Sequence, residues 1–434
     1  MTNLFLSALL IIQVFTATQT HHLRSSQYEA PHASDLKLSN EEIFSLLKEW
    51  APGDTVPGYA LMKIEGRNVY VDSVALTGPN STRTKEALAL LSSNLKLIDG
   101  LHIKKEAKAF MKKVHFFMDW NLDHNHAANY HPYKWSSLES DELAAKKYHG
   151  IDIININNYI NTTHSNQPYM ILHELAHAYH DQVLKYNNAK IQAAYQTAMD
   201  SGLYKNVLHF NGRFETKERA YAAQDNVEYF GELTEAYFGR NDFYPYNRKD
   251  LLKHDSLAFE LMREVWQDTS VSKDAWLKEV WYDPFRPEFN ENKYYYLSTR
   301  FKGETWVLDG PGRYPDLVSM VSKNGQPTQA WKFQRVTDNS YYFRLTNQGR
   351  GIGSSLYPLD DGSQNISLGA TEMKEVQYWK IIKLYNGYYR ITNVFKGVGK
   401  SLDVHNTKAL EAQLLSTGYY SGQDWKITET NNIQ

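Results

Sequence analysis

The spacing of apolar positions divides the chain into stretches of different character. Leu4 to Ala17 is apolar except for Ser7, Gln13 and Thr16 and carries no charge, a run too short to cross a bilayer and of the length of a signal-peptide core. Residues 1–20 are therefore expected to form a secretory leader, followed by a polar N-terminal segment over 21–58. Within that segment Ser39 and Glu42 make a capping box that opens a short helix through Trp50. Tyr59–Ile64 and Val69–Asp72 flank Glu65-Gly66-Arg67-Asn68 and predict a β-hairpin. The period then changes. Arg83–Lys113 reads as two helices broken near Gly100, Val114–Trp120 and Ile151–Ile156 as strands, and Pro168–Gln267 as mainly helical. Strands first and helices afterwards predict an α+β domain over 59–283.

The prolines of Trp281-Tyr-Asp-Pro-Phe-Arg-Pro-Glu-Phe stop any helix and place a linker at 284–291. Beyond it, short β-like segments alternate with Gly, Asn and Asp, predicting an all-β domain over 292–434. An internal repeat runs through this region. Gln329-Ala-Trp331, Gln377-Tyr-Trp379 and Gln423-Asp-Trp425 are Q-x-W triplets spaced 48 and 46 residues apart. Twenty residues before each Gln stand Asp309, Tyr357 and Asp403. Three triplets in register predict a three-fold β unit.

Composition narrows the function classes. With 47 basic and 49 acidic residues the formal net charge is −2, so no basic excess points to nucleic acid. Apart from the leader, no membrane span is expected. The chain has no cysteine, which excludes thiol nucleophiles, Cys-ligated zinc and disulfides. A chain this long buries enough core to be exported without disulfides. Asn80-Ser-Thr, Asn161-Thr-Thr and Asn365-Ile-Ser are glycosylation acceptors in a eukaryotic secretory setting.

The densest chemistry lies in Tyr169-Met-Ile-Leu-His173-Glu174-Leu-Ala-His177-Ala-Tyr-His180. On a helix, His173 and His177 stand one turn apart and can share one metal ion, with Glu174 beside it as a base. A site with an open position needs a third protein ligand. A histidine ten residues after His173 is not available, since Val183 stands there, and His180 reads as a surface or supporting residue. Val227–Phe238 supplies a better donor: its polar residues are Thr234 and the carboxylates Glu228, Glu232 and Glu235. Stacked like charges on an apolar helix are costly without a cation. Glu228 as ligand, with Glu232 orienting a ligating histidine, resolves that cost, with Glu232 or Glu235 as the alternative ligand. Tyr130-His131-Pro132 and Trp135 lie upstream and read as aromatic packing rather than site residues.

These two segments resemble the zincin domain of the lethal-factor-like peptidases, the group of anthrax lethal factor and the bacterial Pro-Pro endopeptidases. In that group the H-E-x-x-H helix is followed by a Tyr seven residues before the ligand Glu of an E-[FY]-F-x-E motif. Here Glu228-Tyr-Phe-Gly-Glu232 matches, and Tyr221 stands seven residues earlier. The resemblance covers about Tyr59–Trp266 and implies a secreted zinc metallopeptidase acting on a protein or peptide substrate. It implies one Zn²⁺ per chain on His173, His177 and Glu228, Glu174 as general base, and Tyr221 as hydrogen-bond donor to the developing oxyanion. It also implies that Ile151–Ile156 is the sheet edge that pairs with substrate backbone, with an internal strand as the other reading of the same run. The Q-x-W region is similar to ricin B-type β-trefoils, in which Gln and Trp are structural and an Asp in each lobe bonds sugar hydroxyls. That resemblance implies glycan binding at Asp309 and Asp403, with Tyr357 breaking the middle lobe. The alternative function is a carbohydrate-binding lectin with a non-catalytic peptidase-like domain.

Overall fold

A computed structural model of the chain describes residues 55–134, 140–267, 272, 282–310, 317–337, 341–405 and 410–430. The leader, the capping box and Trp135 lie outside the described residues. Among the described residues, no helix is long and apolar enough to cross a membrane.

The chain opens with the expected hairpin, β1 (Tyr59–Ile64) and β2 (Arg67–Asp72). Its turn is tighter than the sequence suggests. Arg67 pairs with Ile64, leaving Glu65 and Gly66 alone at the bend with φ of 47° and 79°, the positive-φ pair that a two-residue hairpin turn requires. Helices α1 (Asn80–Gly100) and α2 (Lys105–Met111) follow, broken just after Gly100. Three short strands complete the sheet: β3 (Phe116–Met118), β4 (Asn129–Tyr130) and β5 (Ile151–Ile153), with α3 (Asp141–Lys147) between the last two. The strand order is β1-β2-β3-β5-β4, with β2, β3 and β5 parallel and both outer strands antiparallel. The expected edge strand is thus internal: β5 is paired on both sides, and the edge belongs to the two-residue β4.

Helices α4 (Ile156–Ser165), α5 (Met170–Tyr179), α6 (Ala189–Asp200), α7 (Asn226–Phe238), α8 (Arg248–His254) and α9 (Ser256–Trp266) build the rest of this domain. Their apolar faces share one core with the sheet, from Ile64 and Val71 through Leu172 and Phe230 to Trp266. One element inside this helical stretch was not anticipated. Strands β6 (Val207–Phe210) and β7 (Glu215–Glu218) form a separate hairpin, whose tip carries Asn211-Gly212, a hairpin-turn dipeptide.

The C-terminal region is a β-trefoil of twelve strands, β8 (Tyr295–Thr299), β9 (Trp306–Asp309), β10 (Ser319–Ser322), β11 (Trp331–Arg335), β12 (Tyr342–Asn347), β13 (Gly351–Pro358), β14 (Ile366–Ala370), β15 (Trp379–Lys383), β16 (Tyr389–Asn393), β17 (Lys400–Val404), β18 (Ala412–Ser416) and β19 (Trp425–Glu429). Six strands close into a barrel through the pairs β8–β11, β11–β12, β12–β15, β15–β16, β16–β19 and β19–β8. Three hairpins, β9–β10, β13–β14 and β17–β18, complete the lobes. The Q-x-W triplets do the same job three times. Each Trp is fully buried, and its indole N–H donates to a carbonyl 23 residues earlier: Trp331 to Leu308 (2.8 Å), Trp379 to Leu356 (2.9 Å), Trp425 to Leu402 (2.8 Å). Each Gln closes a turn by donating to a carbonyl seven residues back, at Ser322, Ala370 and Ser416, and accepting a backbone N–H five residues back.

The two domains are tightly joined. The expected linker is a packed strap: Phe285 is buried, and Phe289 stacks on Phe333 at 4.2 Å in the trefoil core. Phe210, Tyr246, Phe285, Tyr341, Ile382 and Leu384 form a dry cluster across the junction. Buried Arg240 lies over Tyr246 at 3.8 Å, a desolvated cation–π contact. Lys380 reaches Glu215 at 2.6 Å, and Arg213 pairs with the fully buried Asp424. Replacing Trp379 with Ala removes both ring burial and the bond to Leu356. The expected cost is about 3–5 kcal/mol, seen as a lowered guanidinium midpoint for the β signal in circular dichroism.

Candidate metal centre

Helix α5 is buried along its whole length, so its polar side chains must find partners inside the protein. Helix α7 lies against it. Asp225 caps α7 by accepting the N–H groups of Val227 (2.8 Å) and Glu228 (2.9 Å), which sets Glu228 in the first turn, where the helix dipole favours a carboxylate. Gly231, one turn further on, leaves room for the His173 ring: a Cβ there would stand 2.7 Å from His173 Cε1 and 2.8 Å from Nε2.

His173 Nε2 lies 3.1 Å and His177 Nε2 3.2 Å from one oxygen, Glu228 Oε2. The two rings are nearly perpendicular, 89° with centroids 4.4 Å apart. Tetrahedral bonds of about 2.0–2.1 Å set ligand atoms about 3.3–3.4 Å apart, so the three donors stand at the spacing a divalent ion imposes. Donor chemistry agrees, since two imidazoles and a carboxylate suit zinc and several other divalent metals. His173, His177 and Glu228 are brought together as the sequence predicts, and they fit a metal.

The electrostatics show how strained this set is without a cation. Burial alone pulls the His173 imidazole down, but hydrogen bonds and charges from Glu228 and Glu235 outweigh it and hold it well above its ordinary value. Burial would raise Glu228, yet its bonds to His173 and His177 hold it far below the usual carboxylate range. Burial pushes Glu174 up, against the opposing charges of His177 and His173.

Two supporting residues differ from expectation. His173 Nδ1 lies 2.8 Å from Glu235 Oε1, whereas Glu232 accepts from Asn241 Nδ2 at 3.1 Å. The role assigned to Glu232 therefore falls to Glu235. A three-residue offset moves a side chain only about 60° from its neighbour's helical direction, so spacing alone does not separate them. Burial, and then repulsion from Asp242 and Glu235, drive Glu232 well above the carboxylate range. Tyr130, set aside as packing, meets the site directly. Its N–H donates to Glu174 Oε2 at 2.7 Å, and its hydroxyl donates to Asp181 Oδ2 at 2.7 Å. That link from β4 to α5 is tertiary and left no signal beyond the aromatic itself. Tyr221 Oη donates to Glu228 Oε1 at 3.1 Å and is 37% exposed, so it borders the centre from the open side. His180 is fully buried between Tyr186 and Phe230, and burial with the His177 charge pushes it down to about 3.

In the trefoil, Asp403 is buried and accepts from Gln423 Nε2 at 2.9 Å. Asp309 is half-buried, and its Oδ1 has no hydrogen-bond partner among the described residues. In the middle lobe a Cβ at Gly369 would come within 2.7 Å of the Tyr357 ring, so that ring fills the corresponding space.

Residues 327–416 match the family described as Ricin-type beta-trefoil lectin domain-like. The C-terminal domain is thus a trefoil with a ricin-type lectin-like segment over 327–416, and its barrel and three-fold bonds are those of the trefoil fold. Solved structures similar to it include the designed three-fold symmetric protein ThreeFoil (23% identity, TM-score 0.28, 32% of this chain and 99% of that one). The BEL β-trefoil is another (14% identity, TM-score 0.29, 34% and 99%). A third is the Polyporus squamosus lectin bound to a human-type influenza-binding epitope (14% identity, TM-score 0.27, 33% and 50%). No curated protein matches the chain. Gly231→Ala, which drives a methyl group into the His173 ring, is expected to weaken zinc binding about 10–100-fold. Competition with a chelator measures the loss, and unchanged far-ultraviolet dichroism shows that the helices stay intact.

Proposed function

We propose that the N-terminal domain is a zinc metallopeptidase and that the trefoil holds it on glycans. The observation that carries the first half is the approach of His173 Nε2 and His177 Nε2 to within 3.2 Å of one Glu228 oxygen, with Glu174 on the same helix. His173, His177 and Glu228 would hold the zinc ion, which when bound acidifies water and polarises a carbonyl. Glu174 takes the proton from the attacking water on its carboxylate and returns it to the leaving amine. Tyr221, half in solvent and already a donor, turns its hydroxyl to the oxyanion. The N–H of Tyr130, on the edge strand β4, holds the Glu174 carboxylate in place. Zincin resemblance in Glu228-Tyr-Phe-Gly-Glu232 and Tyr221 favours a peptide over other substrates.

For the second half, the lectin-type match supports carbohydrate binding. The sugar-facing acids proposed are Asp309 and Asp403. Of the two, Asp309 is the more open.

Mass spectrometry of the purified chain should find one zinc, lost in Glu228→Ala. Glu174→Gln should keep the zinc yet lower hydrolysis of a proteome-derived peptide library by about 10²–10⁴-fold. Retained turnover would remove Glu174 as the base. A wild-type chain that takes up no zinc would remove the peptidase and leave a lectin. Asp309→Ala should abolish retention on immobilised glycans at unchanged thermal stability, and adding Asp403→Ala, which also removes the buried bond to Gln423, should lower the melting temperature without unfolding the trefoil. Undiminished retention would show that the sugar sites lie elsewhere.

A further inference from the structure

The β6–β7 hairpin belongs by sequence to the N-terminal domain, yet its second half is bonded to the trefoil. Arg213 Nη2 pairs with Asp424 Oδ2, and Asp424 also faces Arg390 at 3.1 Å and Arg300 at 3.6 Å. Phe214 meets Tyr419 edge-on at 5.0 Å. Glu215 accepts from Tyr246 and from Lys380. Phe210 packs in the cluster that contains Ile382 and Leu384. On its other side β6 bonds to the 242–244 segment through Phe210 N–H to Asp242 O (2.8 Å) and Tyr244 N–H to Leu208 O (2.7 Å). A two-stranded hairpin is marginal in water on its own, so such packing decides whether it holds its place.

Strand β7 ends at Glu218, three residues before Tyr221, a reach of roughly 10 Å at most. Tyr221 is therefore bracketed. Downstream, Tyr195 Oη donates to the carbonyls of Ala223 (3.2 Å) and Gln224 (3.3 Å), and Asp225 caps α7. Upstream, Ala220 N–H bonds to Tyr204 O, and the chain then runs into the hairpin. The upstream bracket is shared: Tyr204 belongs to the N-terminal domain, and the hairpin beyond it is held by the 242–244 segment and by the trefoil.

We propose that the trefoil is part of the catalytic framework: Arg213 and Phe214, locked onto its third lobe, are positioning residues that fix Tyr221 against Glu228. This rests on the peptidase reading for its consequence in turnover, but the positional claim stands apart from it. The trefoil is then more than an attachment module. The β6–β7 hairpin is held jointly by barrel residues and by the 242–244 segment, and the Tyr221 hydroxyl that follows it in the chain borders the metal centre.

The test uses the full chain with zinc added. In Arg213→Met and in Phe214→Ala, which uncovers no charge, amide exchange over 219–224 should rise about tenfold or more while α5 stays protected. The turnover number should fall toward that of Tyr221→Phe, about 10²-fold, with KM within about twofold. Arg213→Lys should recover part of the loss. Combined with Tyr221→Phe, neither variant should slow turnover further, because both act through the same hydroxyl. Unchanged exchange over 219–224 in the folded variants would overturn the proposal whatever the activity, as would losses that multiply with Tyr221→Phe. A wild-type chain with no hydrolysis would fail the peptidase reading instead, and the exchange result would still decide the hairpin's role.

Discussion

Glu228 enters the protein interior between His173 and His177, and the cost of taking a carboxylate out of water has to be met there. A lone buried charge costs several kcal/mol even after relaxation. Much of the N-terminal domain answers that demand. Asp225 turns the first N–H groups of α7 toward the helix start, Gly231 makes space for one imidazole, Glu235 takes that ring's far nitrogen, and Tyr130 holds Glu174 from the sheet edge. Together they fix the two imidazoles and Glu228 so that three donors point at one spot.

The trefoil solves a different problem. It has no helical core and no disulfide, so twelve short strands must bury enough apolar surface among themselves. A tryptophan in each lobe fills the common centre, and its indole N–H is satisfied by a strand from the same lobe. Repetition spreads the load evenly. It also frees the loops outside the barrel to differ, which is why Asp309, Tyr357 and Asp403 can stand at equivalent places with unlike surroundings.

Much of this was legible in the sequence where local period and chemistry coincide. The first hairpin, the break after Gly100, the H-E-x-x-H helix and the three Q-x-W turns all follow from patterns confined to a few residues. What stayed hidden depends on distant partners. Glu235 replaces Glu232 beside His173 because two helices cross at a particular rotation, which spacing along one helix does not fix. The edge strand is β4 rather than β5 because a two-residue strand is too short to show alternation. The β6–β7 hairpin did carry a local signal, Asn211-Gly212, but it was submerged in a helical stretch. Its strands alternate poorly because Glu215 faces Lys380 and Tyr246 rather than water.

Closure of the barrel also sets an order in time. Strand β8 pairs with β19, so residues 295–299 must wait for residues 425–429 before their outer edge is covered. Asp424, which receives Arg213, stands immediately before that same last strand. During synthesis, therefore, the hairpin at 207–218 is made some two hundred residues before its charge partner emerges. Contacts so far apart form late and slowly. Both the closed barrel and the Arg213–Asp424 pair therefore depend on β19 being in place.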